Sequence, residues 1–268
     1  MALSAMFKEL KFMVMEVIDY RELFYFLTLK EIKIKYKQSI IGVGWAIFMP
    51  LVSMVIFTFI FTRIARIETD VPYPIFAYCG LLPWQLFAQG LGTATKSLVS
   101  NMNLVTKVYL PREAFPFAAV MSKMLDFAIG FLFVFVLMWY YKISLSSTIL
   151  LFPALLCIQI FFTLGLGFFL SMGHLYFRDV DYIMQVVIQL WMYVTAVVYP
   201  LKVSNPSLQV ILNLNPMTPI IDAYRDVILR GQLPPFETYA PVAILSILIF
   251  FFGWYLFHKM EFQFAEYI

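Results

Sequence analysis

Residues 40–62 read IIGVGWAIFMPLVSMVIFTFIFT and contain no Asp, Glu, Lys or Arg. A helix needs about 20 mostly apolar residues to cross a hydrocarbon core ~30 Å thick, so this stretch predicts a membrane span. Four more stretches are uncharged and long enough: residues 71–95, 143–173, 182–201 and 238–257. A sixth, 124–141, is interrupted only by Asp126. Residues 143–173 are too few for two crossings with a turn. Ser144, Ser146, Ser147 and Pro153 at their start predict one span with a non-helical beginning. Residues 203–221 are uncharged too, but Asn205, Pro206, Asn213, Asn215, Pro216 and Pro219 would expose backbone and amide groups to lipid. They are expected to form short helical pieces, re-entrant at one membrane surface.

Composition agrees. Hydrophobic residues make up 62% of the chain and charged residues 13%, with mean hydropathy +0.85, against roughly 45–50% and about 25% in soluble domains. The fold class expected is an all-α polytopic membrane protein of six transmembrane helices. Residues 1–39 mix charges throughout, so no cleaved leader is expected. Cys79 and Cys157 lie in apolar segments without metal or redox spacing and read as packing residues.

Basic residues in short loops favour the cytoplasmic side. With both termini inside, thirteen of the 19 Lys and Arg fall there, and six, Arg63, Arg66, Lys142, Lys202, Arg225 and Arg230, fall outside. Residues 1–39 hold Leu10, Val14, Val17 and Ile18 at helical spacing beside many lysines, which predicts an amphipathic interfacial helix. Residues 32–37, IKIKYK, alternate with period two, yet a lone strand beside a bilayer would leave its edge unpaired, so helix is expected there as well. A generic polybasic membrane anchor is the other reading of this segment.

The remaining polar segments are few. Residues 96–113, KSLVSNMNLVTKVYLPRE, predict one amphipathic helix over 97–109, ended by Pro111, and are longer than a mere connector needs. Arg178 and Asp179 sit in a short loop as a candidate solvated pair. Asp222, Arg225, Asp226 and Arg230 share one helix side, which Gly231 and Pro234 would end. A surface helix with local ion pairs and a gate fit this pattern equally. Asp126 is expected to pair with Lys123, one turn away.

No GxxxxGK[ST] phosphate loop is present, so ATP, if used, must be handled by a partner. No HExxH, paired-cysteine or Ser/His/Asp spacing occurs, His174 and His258 stand isolated, and neither a catalytic residue nor a metal site is expected. The spans nearly lack ionisable groups, and the two halves show no repeat, which weighs against an ion-coupled carrier.

Seven short motifs follow in order. Residues 36–45, YKQSIIGVGW, resemble the KYKQSxLGxxW signature of bacterial ABC-2 type polysaccharide permeases. So do GLLPW at 80–84, NLVTKVYLPRE at 103–113, FRDV at 177–180, Tyr199-Pro200, Asn215-Pro216 followed by Tyr224-Arg225, and EFQFAEYI at 261–268. The resemblance implies one permease domain over 1–268, with spans one to five in 40–201, a periplasmic gate region at 202–237, span six at 238–257 and a cytoplasmic tail at 258–268. Further implications are export of a lipid-linked polysaccharide of the O-antigen, capsule or teichoic-acid kind across the inner membrane, two copies of the chain, and two ATPase subunits that bind ATP and Mg. Membrane lipid is an expected contact and nucleic acid is not. An ABC-2 drug or lipid exporter is the alternative inside the same family.

The resemblance also distributes roles over this chain. Lys33, Lys35, Tyr36 and Lys37 would belong to the interfacial helix. Lys96, Asn101, Asn103, Lys107, Arg112 and Glu113, with Arg178 and Asp179, would couple to the ATPase. Asn215, Pro216, Asp222, Tyr224 and Arg225 would form the periplasmic gate. Aromatic faces can stack on sugar rings while letting them slide, which makes Trp45, Trp191, Tyr193 and Tyr199 candidates for lining a channel.

Overall fold

A computed structural model describes residues 2–107, 110–200, 215–261 and 264, with the side chains of residues 2–8 and 10 left aside. Among the described residues every regular element is helical. The order is α1 (Ala2–Asp19), α2 (Arg21–Tyr36), a 3-10 turn (Gly42–Gly44), and α3 (Trp45–Thr58), which continues as a π-helical turn over Phe59–Ile64. Next come α4 (Tyr73–Ser100), α5 (Met102–Lys107) and α6 (Ala114–Tyr140). A 3-10 turn (Ser147–Leu151) leads into α7 (Phe152–Tyr176), followed by α8 (Asp179–Val194). After the gap come α9 (Met217–Arg225), continued as a π-helical turn over Asp226–Arg230, and α10 (Phe236–Met260).

Four of these segments are long and apolar enough to cross a membrane: Gly42–Ile64, Ala114–Tyr140, Ser147–Tyr176 and Phe236–Met260. The first, third, fourth and sixth expected spans fall within them or overlap them. The serine-rich approach to the fourth is non-helical up to Ser146 and 3-10 beyond it, as the sequence suggests. The other two expected spans are helices of a different kind. α4 is long enough, but it forms the centre of the bundle, packed by α3, α6, α7, α8 and α9, and most of its residues are buried in protein. α8 has only 16 residues, about 24 Å of helix. It starts at Asp179 and stops at Val194, where the sequence predicted a span over 182–201.

α8 ends because Thr195 turns extended (φ −94°, ψ 136°), leaving carbonyls beyond it that another segment must satisfy. The segment from residue 97 to 109 is likewise not one helix. α4 runs on to Ser100, Asn101 breaks the chain direction, and α5 occupies only Met102–Lys107, with residues 108 and 109 outside the described set. The alternating stretch at 32–37 is helical through Tyr36.

α2 runs alongside α6, from Phe24 edge-on against Phe117 to Tyr36 against Asp126. It therefore accompanies a candidate span instead of crossing it. α1 buries Met13 and leaves Phe12, Val14, Met15 and Ile18 exposed. α7 and α10 approach backbone to backbone through glycines. A Cβ on Gly165 would lie 2.7 Å from the main chain of Ile249 and Phe250, and one on Gly253 would lie 2.7 Å from the Gly165 carbonyl. Small residues of this kind let apolar helices pack closely where lipid supplies no hydrophobic drive.

Contacts sort the connecting segments into two ends. One end joins Lys30 to Asn101, Lys96 to Asp181, Glu113 to His258, and Arg112 to Glu261. The other joins Asp70 to Arg230, Thr148 to Val227, and Gly231 to Ser146.

Candidate functional site

At the second end, residues 215–230 dip into the bundle. Met217, Ile220 and Ile221 are fully buried, and Tyr224 packs edge-on against Phe127 and Phe152. Of the two readings of this pattern, the surface helix does not hold: the helix is buried, because its apolar side faces α4, α7 and α10. Residues 201–214, which hold the first part of the expected gate, lie outside the described residues.

Arg225 organises this region. Its side chain is wholly buried, with the guanidinium 3.7 Å above the Phe76 ring. Nη1 donates to the Ala196 carbonyl at 2.8 Å and to Asp222 at 3.0 Å, and Nη2 donates to the Val197 carbonyl. Those carbonyls lie just past the end of α8, so a buried cation caps a broken helix end. Arginine suits the task because its planar fork reaches two acceptors and stacks at once. Gly80 admits the fork, since a Cβ there would collide with the guanidinium and with the Val197 carbonyl.

Asn215 completes the junction. Its Oδ1 accepts from Trp191 Nε1 at 2.8 Å and from the Met217 amide at 3.1 Å, while Nδ2 donates to Thr195 Oγ1 at 2.7 Å. Pro216 precedes the first turn of α9. Further out, Arg230 pairs with Asp226 at 2.6 Å and with Asp70. The hydrogen bond from Arg230 holds the Asp70 carboxyl below its usual range, whereas burial raises that of Asp226.

The other end is looser. Asn101 is buried, donating to the Ser97 carbonyl at 2.8 Å and accepting from Lys30. Lys96 pairs with Asp181 at 3.1 Å, so Asp181 and not Asp179 is the carboxylate of the 177–181 loop that takes a partner. Arg178 and Asp179 are exposed and form no ion pair with each other among the described residues. Asn103 and Lys107 are exposed on α5, and Arg112 is half-buried. Glu113 is 1% exposed and faces His258, Trp254 and Glu261. Burial would raise its carboxyl, but the His258 imidazole 3.6 Å away and the Trp254 indole bring it below the usual range. Glu261 is pushed up to about 7 by burial and by the neighbouring Glu113 carboxylate.

Between the ends lies a cavity of about 380 Å³ lined by Trp45, Met49, Gln85, Gln89, Lys35, Lys123 and Asp126, among others. Asp126 pairs with Lys35 and accepts from the Tyr36 hydroxyl. The expected partner Lys123 sits nearby without making that pair, because α2 brings a competing cation to the carboxylate. Lys33 and Lys37 are exposed. Of the candidate aromatic rings, Trp191 is committed to packing on Phe87 and Phe162. Tyr199 donates to the Tyr193 carbonyl, and Tyr193 and Trp45 stay 64% and 39% exposed.

Sequence motifs pointed to Asn215 and Arg225, which meet the chain just past the end of α8, but they missed the Gly80 approach, the Asp70–Arg230 pair and the Glu113–His258 contact. The last joins residues so far apart in the chain that no spacing could signal it. The C-terminal motif is described only at Glu261 and Phe264.

The pattern of the ABC-2 type transporter family matches residues 22–229, well over half of the chain. A protein named O-antigen export system permease protein RfbA from Myxococcus xanthus is 29% identical over 257 residues, covering 95% of this chain and 98% of that one. One of the same name from Klebsiella pneumoniae is 30% identical over 251 residues, covering 90% and 92%. A polysialic acid transport protein, KpsM, from Escherichia coli is 20% identical over 241 residues, covering 88% and 92%.

Proposed function

Because this chain belongs to the ABC-2 type transporter family, we propose that it is the membrane permease of an ATP-driven polysaccharide exporter. It is a transporter subunit, not an enzyme, and its energy comes from an ATPase partner. The observation that carries the reading is the near-complete coverage shared with O-antigen export permeases, reinforced by the more distant polysialic acid transport protein.

Finer features follow from the same reading. The chain would cross the inner membrane six times with both termini cytoplasmic. α4 and α8 would be the second and fifth crossings, since each runs between the two ends described above. Two copies would work with two ATPase subunits, which bind ATP and Mg, on a lipid-linked polymer. α5, with Asn103 and Lys107 exposed, and the Arg178–Asp179 turn would then face the ATPase, while Asn101 and Glu113 would transmit movement internally. Apolar side chains left exposed on α3 and α8, such as Phe48, Ile183, Leu190 and Tyr193, support a channel at the interface of two copies. Trp45 and Tyr193 are its best candidate rings.

The direct test is deletion of the gene in its host, scoring surface polysaccharide. Loss of the polymer from the surface with its retention inside, restored by this chain only alongside its ATPase, is the expected result. Unchanged surface polymer would overturn the reading. Cysteines at Asn103 and Lys107 should cross-link to the co-purified ATPase.

A further inference from the structure

Four ionisable side chains from three segments meet at the end of the bundle that carries α5. Glu16 comes from α1, Glu113 from the start of α6, His258 from the last turn of α10, and Glu261 from just beyond it. His258 Nδ1 stands 3.6 Å from Glu113 Oε1 and 3.5 Å from Glu261 Oε1. One ligand atom each from Glu16, Glu113 and His258 all lie within 4.8 Å of one another. Glu113 Oε2, Glu16 Oε2 and His258 Nδ1 are buried and have no hydrogen-bond partner. Trp254 Nε1 reaches Glu113 Oε1 only at 3.3 Å, and the Arg112 amide reaches Glu261 Oε2 only at 3.5 Å.

Buried lone pairs converging in this way need either a shared proton or a cation between them. Distance decides between the two. A charge-assisted N–H···O or O–H···O bond would draw the atoms to about 2.5–2.9 Å. Ligands held about 2.0–2.2 Å from one tetrahedral ion stand roughly 3.3–3.6 Å apart, the edge of that tetrahedron. The separations of His258 from Glu113 and from Glu261 fall in the second range, and the ligand atom of Glu16 lies within 4.8 Å of those of Glu113 and His258. A donor set of one imidazole nitrogen with carboxylate oxygens suits zinc and its first-row neighbours, whereas magnesium and calcium prefer oxygen alone.

We propose that Glu16, Glu113 and His258, with Glu261 beside them, form a divalent-cation site of the zinc class that staples α1 to the membrane bundle. The ion would bind one helix outside the main bundle to two inside it. Phe12 on the preceding turn of α1 already rests against the His258 ring, with centroids 6.3 Å apart. The site stands independently of the transport reading, because its ligands and its test involve neither substrate nor ATPase.

The test uses full-length, tag-free chain in lipid nanodiscs, stripped with a chelator and titrated with zinc. One zinc per chain is expected by elemental analysis and calorimetry, with no competition from millimolar magnesium. His258→Ala and Glu16→Gln should each weaken binding at least tenfold, and Glu9→Gln, an exposed carboxylate on the same helix, should leave it unchanged. If His258→Ala fails to fold, His258→Cys retains a ligand and should bind cadmium more tightly than the parent does. Zinc should also slow amide exchange across Ala2–Asp19 in the parent but not in Glu16→Gln. Absence of stoichiometric zinc, binding undiminished in both ligand variants, or exchange in α1 indifferent to zinc would overturn the proposal.

Discussion

The two ends of the bundle satisfy their buried charges in opposite ways. Around Arg225, a cation with no solvent exposure meets two carbonyls, a carboxylate and an aromatic face, and Gly80 lets it approach closely. Around Glu113, carboxylates and an imidazole face one another at 3.5–3.6 Å with several polar atoms unpartnered. The first arrangement holds one cation among fixed acceptors, so removing Arg225 strands the buried carbonyls of Ala196 and Val197. The second needs something added, and its neighbours Lys30–Asn101 and Lys96–Asp181 are partly exposed ties between separate helices. Such ties are cheap to remake, which suits the end expected to move with an ATPase.

Substitutions can break or sharpen this contrast. The largest effect belongs to Arg225→Ala, which strands the carbonyls past α8. It should destabilise the folded protein by on the order of 2–6 kcal/mol, at about 1–3 for each stranded carbonyl, read as a lowered Tm in detergent. Arg225→Lys should rescue little, since an ammonium cannot bond both carbonyls and stack on Phe76. A near-normal Tm for either would remove the contrast. Gly80→Ala comes next, at about 1–3 kcal/mol from overpacking against the same guanidinium, and combining it with Arg225→Ala should cost less than the sum of the two. Between the ends, Asp126→Asn weakens the tie to Lys35 and Tyr36, and should change stability by about 1–2 kcal/mol because Lys35 is 35% exposed while the carboxylate is only 14% exposed. If it proved as damaging as Arg225→Ala, the polar ties would be rigid anchors after all.

The smallest effect concerns Asp70→Asn, under about 0.5 kcal/mol for an exposed pair. Its sign with pH follows from the lowered carboxyl. The pairing with Arg230 is complete above the unfolded Asp pKa and is lost as pH falls through the lower folded value. Tm measured for the parent and Asp70→Asn should therefore differ at neutral pH and converge in acid.

Much of this architecture was legible in advance where a residue's role depends on its own neighbourhood. Uncharged runs marked the long helices, the serines before Phe152 marked a late helix start, and Gly231 marked a left-handed stop (φ 66°). Family motifs pointed to Asn215 and Arg225. Reading failed where a distant segment decided the outcome. Asp126 has Lys123 one turn away, but α2 delivers Lys35 and Tyr36 to it. Residues 182–201 look like an uninterrupted span, but Thr195–Pro200 unwind, with the carbonyls of Ala196 and Val197 satisfied by Arg225. The contacts of Trp191 with Phe87, Phe162 and Asn215 likewise come from distant segments.

The sequence by itself determined that this is an all-helical membrane chain of the ABC-2 kind, because hydropathy and helical spacing are local quantities and its motifs keep their order. Only the tertiary structure decided that α4 is the buried axis, that α9 lies inside the bundle, and that Glu16, Glu113 and His258 come within 4.8 Å of one another. Those outcomes depend on which buried polar group meets which partner across the bundle, and chain separation carries no record of that.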